Sequence, residues 1–314
     1  MSVEFRNFDQ VLQTAKELPC VPVAVIDADE QHVLEGACEA AGAGYIDPVL
    51  IGDEGVIRGL LDGMTCAGKF RIIHAPGDQA MAEKGVELVE KHEVSALMKG
   101  HIHTDQFLHP ILSHHLQGNK RISHLFLVDL KTYPKLLFIT DAAINISPDL
   151  NAKMAIAQNG IDMARVMGIE EPKVAALSAV EVVNPAIPST IDAACLAKMS
   201  ERGQITGGII DGPLAFDNAI SAGSAGVKGI KSRVAGDVDI LLVPDLVSGN
   251  ILGKDLEYLA GGRLAGFVMG TKVPIVLTSR ADPVEARVVS CAVASIMSSR
   301  MSGQVSRIPA LKAI

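Results

Sequence analysis

Short β-branched or leucine-rich runs recur along the whole chain, at residues 21–26, 125–130, 136–140, 174–177, 208–210, 240–243 and 274–278. They are too short for helices and apolar throughout, which suits strands buried on both faces. Between them lie longer stretches with helical spacing, such as 79–92, 150–167 and 191–202. Strand and helix alternate, so the sequence predicts an α/β fold in which helices cover a parallel sheet. At roughly one to two hundred residues per domain, a chain of 314 residues holds two domains or one large one. Aromatic residues make up 4% with no Trp, so the core must be aliphatic.

In such sheets, ligands gather outside the carboxyl ends of the strands. The segments that follow the apolar runs are IDADE (26–30), TDAAINISPD (140–149), EVVNPAIPST (181–190), DGPLAFDNA (211–219), PDLVSGN (244–250) and TSRAD (278–282). Any one of them could be an ordinary turn. Six of the same polar, Gly- and Pro-rich character predict a shared cleft. Of 29 glycines, fourteen fall between Gly203 and Gly270, where the absence of a Cβ lets backbone approach a ligand closely.

Other classes are disfavoured. A formal charge of −8 offers no net basic field to recruit nucleic acid. Cys20, Cys38, Cys66, Cys195 and Cys291 are odd in number, scattered and without a CxxC pair, which predicts reduced, mostly buried thiols. The polar N-terminus lacks a signal-peptide core, and no apolar run reaches the roughly 20 residues of a membrane span. A cytoplasmic protein is expected. All nine histidines lie between His32 and His124, five of them in GHIHTDQFLHPILSHH. His101 with His103, or His114 with His115, could offer imidazoles to a metal, but no carboxylate set accompanies either pair, and no metal site is assigned.

Two segments carry chemistry. In KVPIVLTSRADPVEARVVSCAVASIMSSR a buried strand runs through a polar turn into a helix. Asp282 occupies the N-cap position, Pro283 the first helical position and Glu285 the third position after the cap. The free N–H groups of that helix, the Arg280 guanidinium and the Ser279 hydroxyl would together make a phosphate-sized anion site. The plain alternative leaves Asp282 as only a cap and Arg280 as only a surface charge. In DILLVPDLVSGNILGKDLEYLAGGRLAGFVMG, Ser248, Gly249 and Asn250 follow a strand and open a helix that ends at Gly261 and Gly262. Neither GxGxxG nor GxxxxGK[ST] is present, which argues against NAD and ATP.

These two segments, with DGPLAFDNAIS, EVVNPAIPSTIDAACLAKMSERGQI, TDAAINISPDLNAKMAI and MKGHIHTDQFL, form collinear blocks over residues 98–297 that resemble the phosphate acetyl/butyryltransferase family. SRAD and GPLAFDNAIS look more like its butyryl-type members. The resemblance implies two three-layer α/β domains flanking a cleft, a fold similar to the isocitrate and isopropylmalate dehydrogenases, and a homodimer. It places one domain at 1–140 plus 281–314 and the other, on the coenzyme A side, at 141–280. It implies reversible transfer of a short acyl group between coenzyme A and inorganic phosphate in a ternary complex, with coenzyme A as substrate and no permanently bound cofactor. On this resemblance Ser279 would hydrogen-bond the tetrahedral oxyanion and Arg280 would hold the phosphoryl group. Acetyl-type members carry a catalytic Asp seven positions after the serine, where this chain has Ala286, so the base is open. Asp282 and Glu285 are the nearest carboxylates, with Asp282 matching SRAD. Lys99, Gly100 and Thr104 would line the phosphate side. Asp141, Asn145, Asn184, Pro185, Gly212, Pro213 and Asp217 would sit at strand ends facing the cleft, and Gly249 and Asn250 near coenzyme A. For each, a purely structural role is the alternative, and Ser189 reads as a helix cap. Two other functions stay open: a binder of coenzyme A or acyl phosphate without turnover, and a nicotinamide- and metal-dependent oxidoreductase of the same fold.

Overall fold

The computed structural model describes residues 4–65 and 70–301. Its elements, in chain order, begin with α1 (Phe8–Ala15), β1 (Val21–Ile26), α2 (Gln31–Gly42), β2 (Ile46–Gly52), α3 (Glu54–Asp62), β3 (Arg71–His74), α4 (Gly77–Glu90), β4 (Ala96–Lys99) and α5 (Thr104–Ser113). There follow β5 (Ser123–Asp129), β6 (Leu137–Thr140), α6 (Leu150–Val166), β7 (Lys173–Leu177), α7 (Pro188–Glu201), β8 (Ile209–Leu214), α8 (Phe216–Ile220), α9 (Ala222–Val227), β9 (Ile240–Leu242) and α10 (Leu246–Tyr258). The chain continues through β10 (Arg263–Met269), β11 (Ile275–Val276) and α11 (Val284–Met301). The mixed α/β alternation is the one that the apolar runs predict.

Two compact units emerge. Among the described residues the first comprises Phe8–Lys120 and 265–301, the second Arg121–Leu264 and 4–7. These borders fall at 120/121 and 264/265, earlier than the 140/141 and 280/281 expected from sequence. The reason is pairing: β5 and β6 form an antiparallel hairpin that joins β9, so both belong with the later strands. Likewise β11 pairs with β4 and carries the turn after it into the first unit.

In the first unit the strands lie in the order β3-β2-β1-β4-β11-β10, parallel except for β10. The chain leaves β1 in one direction, through β2 and β3, and returns on its other side at β4. The gap between β1 and β4 is therefore a topological switch point, where such sheets open a crevice at their carboxyl ends. Helix α11 is buried from Ala286 to Met297 and packs against α1 and α2. A single charged residue, Arg287, interrupts that buried stretch.

In the second unit the order is β5-β6-β9-β7-β8. Its core is aliphatic, with Val128, Leu137, Ile139, Ala175, Val238 and Leu241 packed around Phe126. At the amino ends of these strands Asp239, 4% exposed, takes Lys135 Nζ at 2.6 Å on one oxygen and the Lys173 amide at 2.8 Å on the other. Lys135 also pairs with Asp237 at 2.8 Å, so losing Asp239 leaves the Lys173 amide, not the ammonium, without its acceptor. Asp239→Ala is expected to lower unfolding stability by about 1–3 kcal/mol, read from urea denaturation; a loss within about 0.5 kcal/mol, roughly that of a neutral surface change, would make the contact dispensable.

Local expectations are corrected in places. DGPL continues β8 instead of forming a loop: Asp211 pairs with Ala175 and Leu214 with Leu177, the register shifting between them at a bulge. Helix α7 is capped at Ile187 with Pro188 at its first position, so Ser189 is no cap and meets the Ser178 hydroxyl at 2.8 Å. Helix α10 ends at Tyr258, ahead of Gly261 and Gly262. Cys38 is disulfide-bonded, against the expectation of reduced thiols, because scattered spacing says nothing about proximity in the fold. Cys20, Cys195 and Cys291 are free, and only Cys291 is buried. Cys66 lies outside the described residues. No helix among the described residues is long and apolar enough to cross a membrane.

Candidate active site

The first unit gathers its polar groups around the switch point. Strand β4 ends at Lys99, which pairs in register with Ile26 at the end of β1. The Gly100 amide donates to the Ile26 carbonyl at 2.8 Å and the His101 amide to the Asp27 carbonyl at 3.0 Å, so the two strand ends are tied together. A Cβ on Gly100 would lie 2.0 Å from the Asp27 oxygen, which is why glycine stands there. Asp27 itself adopts φ 63°, a left-handed conformation that Asp tolerates better than most side chains. Its neighbour Asp29 accepts the Asp53 amide at 3.2 Å.

Helix α5 opens directly after this junction. His103 is at its N-cap without a side-chain cap bond, so the first-turn N–H groups around Thr104 are left for another acceptor. The Arg280 guanidinium reaches the His103 Nδ1 at 3.4 Å. Arg280 belongs to the polar turn between β11 and α11, and that turn is built from within. The Ser279 amide donates to Asp282 Oδ2 at 2.7 Å, and the buried Arg287 donates from Nη1 to the Asp282 carbonyl at 2.9 Å and from Nη2 to the Ser279 carbonyl at 3.1 Å. Helix α11 starts at Val284, one residue later than expected, and Asp282 serves the turn as a backbone acceptor. Ser279 and Arg280 are exposed, while Ala286 is buried.

The electrostatics of this cluster are unusual. Lys99 is 3% exposed, and burial together with the nearby Arg280 and Arg287 charges pulls its ammonium down to about 8. Asp27 is pushed up to about 8, first by burial, then by its hydrogen bond to Asp29 and the charges of Asp29 and Asp78. Burial also acts to raise Asp29, but the bond from Asp27 and the Asp53 amide outweigh it and hold it below the usual carboxylate range. Cationic groups, an open helix N-terminus and a proton-sharing carboxyl pair thus sit together. The arrangement can bind a dianion and exchange a proton beside it.

The predicted residues Ser279, Arg280, Asp282, Lys99, Gly100 and Thr104 are all in this cluster. Asp27, Asp29 and Arg287 were not singled out in the sequence, and His103 was weighed there only as a metal ligand with His101. The first two lie in IDADE at a strand's carboxyl end, and Arg287 is a charge inside a helix stretch that is otherwise apolar or small, so signals for three of them were present.

The second unit holds the remaining positions in separate groups. Asp141, 2% exposed, accepts the amides of Ala143 (2.9 Å), Ile144 (3.0 Å) and Asn145 (3.2 Å), and Asn145 Nδ2 donates to it and to the Ile122 carbonyl. A Cβ on Gly249 would meet the Asp141 carbonyl at 2.6 Å, and Asn250 Nδ2 donates to the Ala142 carbonyl at 3.2 Å. These four residues fix one loop against the start of α10. Asn184 closes a local turn, with Oδ1 accepting the Ala186 amide at 3.0 Å, and Pro185 lies within that turn. Gly212 and Pro213 are within β8, Gly212 against Ala176 and Ala193. Asp217 lies 3.3 Å from Lys228, which also pairs with Glu181 at 3.0 Å. Among the described residues no group of three or more His, Cys, Asp or Glu side chains could hold a metal ion. His114 instead meets Glu90 at 3.0 Å.

A family model described as phosphate acetyl/butaryl transferase matches residues 71–295, both units included. The chain belongs to the phosphate acetyl/butyryltransferase family. A phosphate acetyltransferase of Rhizobium meliloti is 48% identical over 298 residues, covering 94% of each chain. A phosphate butyryltransferase of Clostridium acetobutylicum is 40% identical over 93% of this chain and 98% of its own. Among solved structures, a branched-chain phosphotransacylase from Enterococcus faecalis V583 superposes with a TM-score of 0.76 at 29% identity, over 88% of this chain and 99% of its own. Members named for acetyl and for butyryl transfer both match along nearly the full length, and identity runs higher with the acetyl-named relative. Membership makes the chain an enzyme of this kind and decides against both the non-catalytic binder and the oxidoreductase.

Proposed function

We propose that this transferase moves a short acyl group reversibly between coenzyme A and inorganic phosphate, giving acyl phosphate and free thiol. The observation that carries it is the convergence of Arg280, Lys99 and the uncapped α5 N-terminus at the β1/β4 switch point of the first unit. Phosphate, a compact dianion, is the substrate such a group of donors suits.

Phosphate would be held by the Arg280 guanidinium, with the amides at Thr104 and the Lys99 ammonium supporting it. In one direction a phosphate oxygen attacks the thioester carbonyl, and the sulfur departs. In the other, the thiolate attacks the acyl phosphate carbonyl, and phosphate departs. The tetrahedral oxyanion needs a preorganised donor, a role we assign to the exposed Ser279 hydroxyl on the turn that Arg287 and Asp282 hold. Direct transfer in a ternary complex places both reactants together without an acyl-enzyme. Coenzyme A would be the substrate of the second unit's strand-end loops. Asp141, Asn145, Gly249 and Asn250 set the shape of one of them, and Asn184, Gly212, Pro213 and Asp217 belong to neighbouring strand ends. We also propose a dehydrogenase-like fold and a homodimer. The dimer is supported by an apolar stripe on α10, with Val247 59%, Ile251 55% and Tyr258 64% exposed.

Phosphate-dependent release of free thiol from acetyl-, propionyl-, butyryl- and isobutyryl-CoA is expected for at least one of the four. No release from any of them would sink the proposal. The series also ranks the acyl chains, which one methylene separates by only about 1–3 kcal/mol.

A further inference from the structure

Transfer to and from a thiol needs a group that takes and returns its proton, and Ala286, buried and apolar on the helix after the turn, offers none. Asp282 is engaged with the Ser279 amide. The switch point offers another group. Lys99 ends β4 with its side chain enclosed, its Nζ making only a long contact of 3.3 Å to the Gly100 carbonyl. Asp27 directly follows Ile26, the register partner of Lys99, so its charge acts on the Lys99 amine from the end of β1 without a direct ion pair between them. Asp27 is in turn hydrogen-bonded to Asp29, and two carboxyls so joined must hold a proton between them. Asp29 takes the Asp53 amide, which favours its ionised form, so the shared proton resides on Asp27.

We infer that Lys99 is the acid–base residue of the transfer, with the Asp27–Asp29 carboxyl pair as the positioning element that leaves its amine able to lose a proton. The inference rests on the proposed transfer. When acyl-CoA forms, the neutral Lys99 amine takes the S–H proton, the sulfur's electron pair forms the C–S bond to the acyl carbonyl, and the C–O bond to phosphate breaks with its electrons going to phosphate. When acyl phosphate forms, a phosphate oxygen forms the C–O bond, the C–S bond breaks, and the Lys99 ammonium returns a proton to the departing sulfur. An ammonium locked in a full ion pair would hold its proton too tightly for this. The neutral Asp27 avoids that lock while still donating to Asp29. A group that changes state near 8 matches a thiol better than an ordinary lysine does.

The groups facing Lys99 are Asp27 and, behind it, Asp29 after β1, Asp78 of α4 acting through Asp27, His101 beside Asp29, and Arg280, Asp282 and Arg287 from the turn and α11. The cations lower its proton affinity and the carboxylates raise it. The sign of the pH dependence follows. Turnover toward acyl-CoA requires the unprotonated amine and rises with pH through about 8, whereas turnover toward acyl phosphate requires the ammonium and falls through the same region.

The test is a pH profile of kcat in both directions for the unmodified enzyme, Lys99→Arg and Asp27→Asn. A guanidinium keeps the charge but does not deprotonate. Lys99→Arg is therefore expected to lose kcat about 100-fold or more, with KM for phosphate changed by less than about threefold. If Lys99 only bound phosphate, Lys99→Arg would keep most of its kcat and the inference would fall. Asp27→Asn removes the partial charge that Asp27 takes on as the pH reaches about 8, while Asp29 keeps its own, so the inflexion should move to lower pH; an unmoved inflexion would overturn the pairing. Should either variant fail to fold, warming the unmodified enzyme decides. An amine's inflexion moves to lower pH on warming, and one that stays fixed would assign the step to a carboxyl. An unmodified enzyme that releases no thiol from any acyl-CoA defeats the transfer reading itself, whereas an active enzyme indifferent to Lys99 defeats only this inference.

Discussion

Arg280→Ala is expected to cut transferase turnover by about 100- to 1,000-fold, the usual cost of losing one preorganised donor to a developing anion. The residue stands exposed on a turn whose backbone carbonyls are held by the buried Arg287, so its loss should empty the phosphate site without disturbing the fold. KM for phosphate should rise, while the thermal midpoint stays within a degree or two, as roughly expected of a surface change. Arg280→Lys keeps the charge but not the planar fork, and should recover only part of the activity. Steady-state kinetics with phosphate as the varied substrate checks both. An alanine variant with ordinary phosphate kinetics would remove Arg280 from the site.

Gly100→Ala is expected to be as damaging by a different route. The new methyl would sit 2.0 Å from the Asp27 carbonyl oxygen and 2.6 Å from that of Ile26, and both obstacles are backbone. Relief requires the ends of β1 and β4 to part, which moves Lys99, Asp27 and the start of α5 together. Overpacking of this kind costs about 3 kcal/mol, and a shift of about 1 Å at the chemistry costs roughly 100-fold in rate. Urea denaturation and the thiol-release assay measure the two effects. Gly59→Ala is the control: nothing lies within 4 Å of the added methyl in α3, so activity should be unchanged. Helix propensity should then add up to about 1 kcal/mol of stability. Equal behaviour of the two variants would show that the close approach at Gly100 does not matter.

Much of the molecule was legible in the chain itself. Apolar runs at 21–26, 125–130 and 174–177 mark strands because a strand buried on both faces needs continuous hydrophobicity, and the structure places β1, β5 and β7 there. Strands β2, β3, β4 and β10 escaped notice. The outer strand β3 is largely solvated, and β4 is only four residues ending in a lysine, so neither has the length or apolarity that periodicity detects. The sequence also pointed to Ser279 and Arg280, since a strand–turn–helix junction with a cation beside free N–H groups is a local pattern. Roles that depend on partners far along the chain were not legible. Asp141 and Gly249 look like ligand-facing loop residues, yet the Asp141 carboxylate is spent on the amides of its own loop, and its backbone carbonyl fills the space beside Gly249, more than a hundred positions away.

By itself, then, the sequence determined the α/β class, the family and the strand–turn–helix junction that carries Arg280, because each is written in composition, spacing or local order. Only the tertiary structure decided which strand ends meet. The crossover that returns the chain to the far side of β1 brings the strand end that Asp27 follows beside the strand end at Lys99, although the two residues are 72 positions apart (99 − 27). Burial at that junction, a property of the packed fold and not of either residue, then brings a carboxyl and an amine toward the same proton affinity.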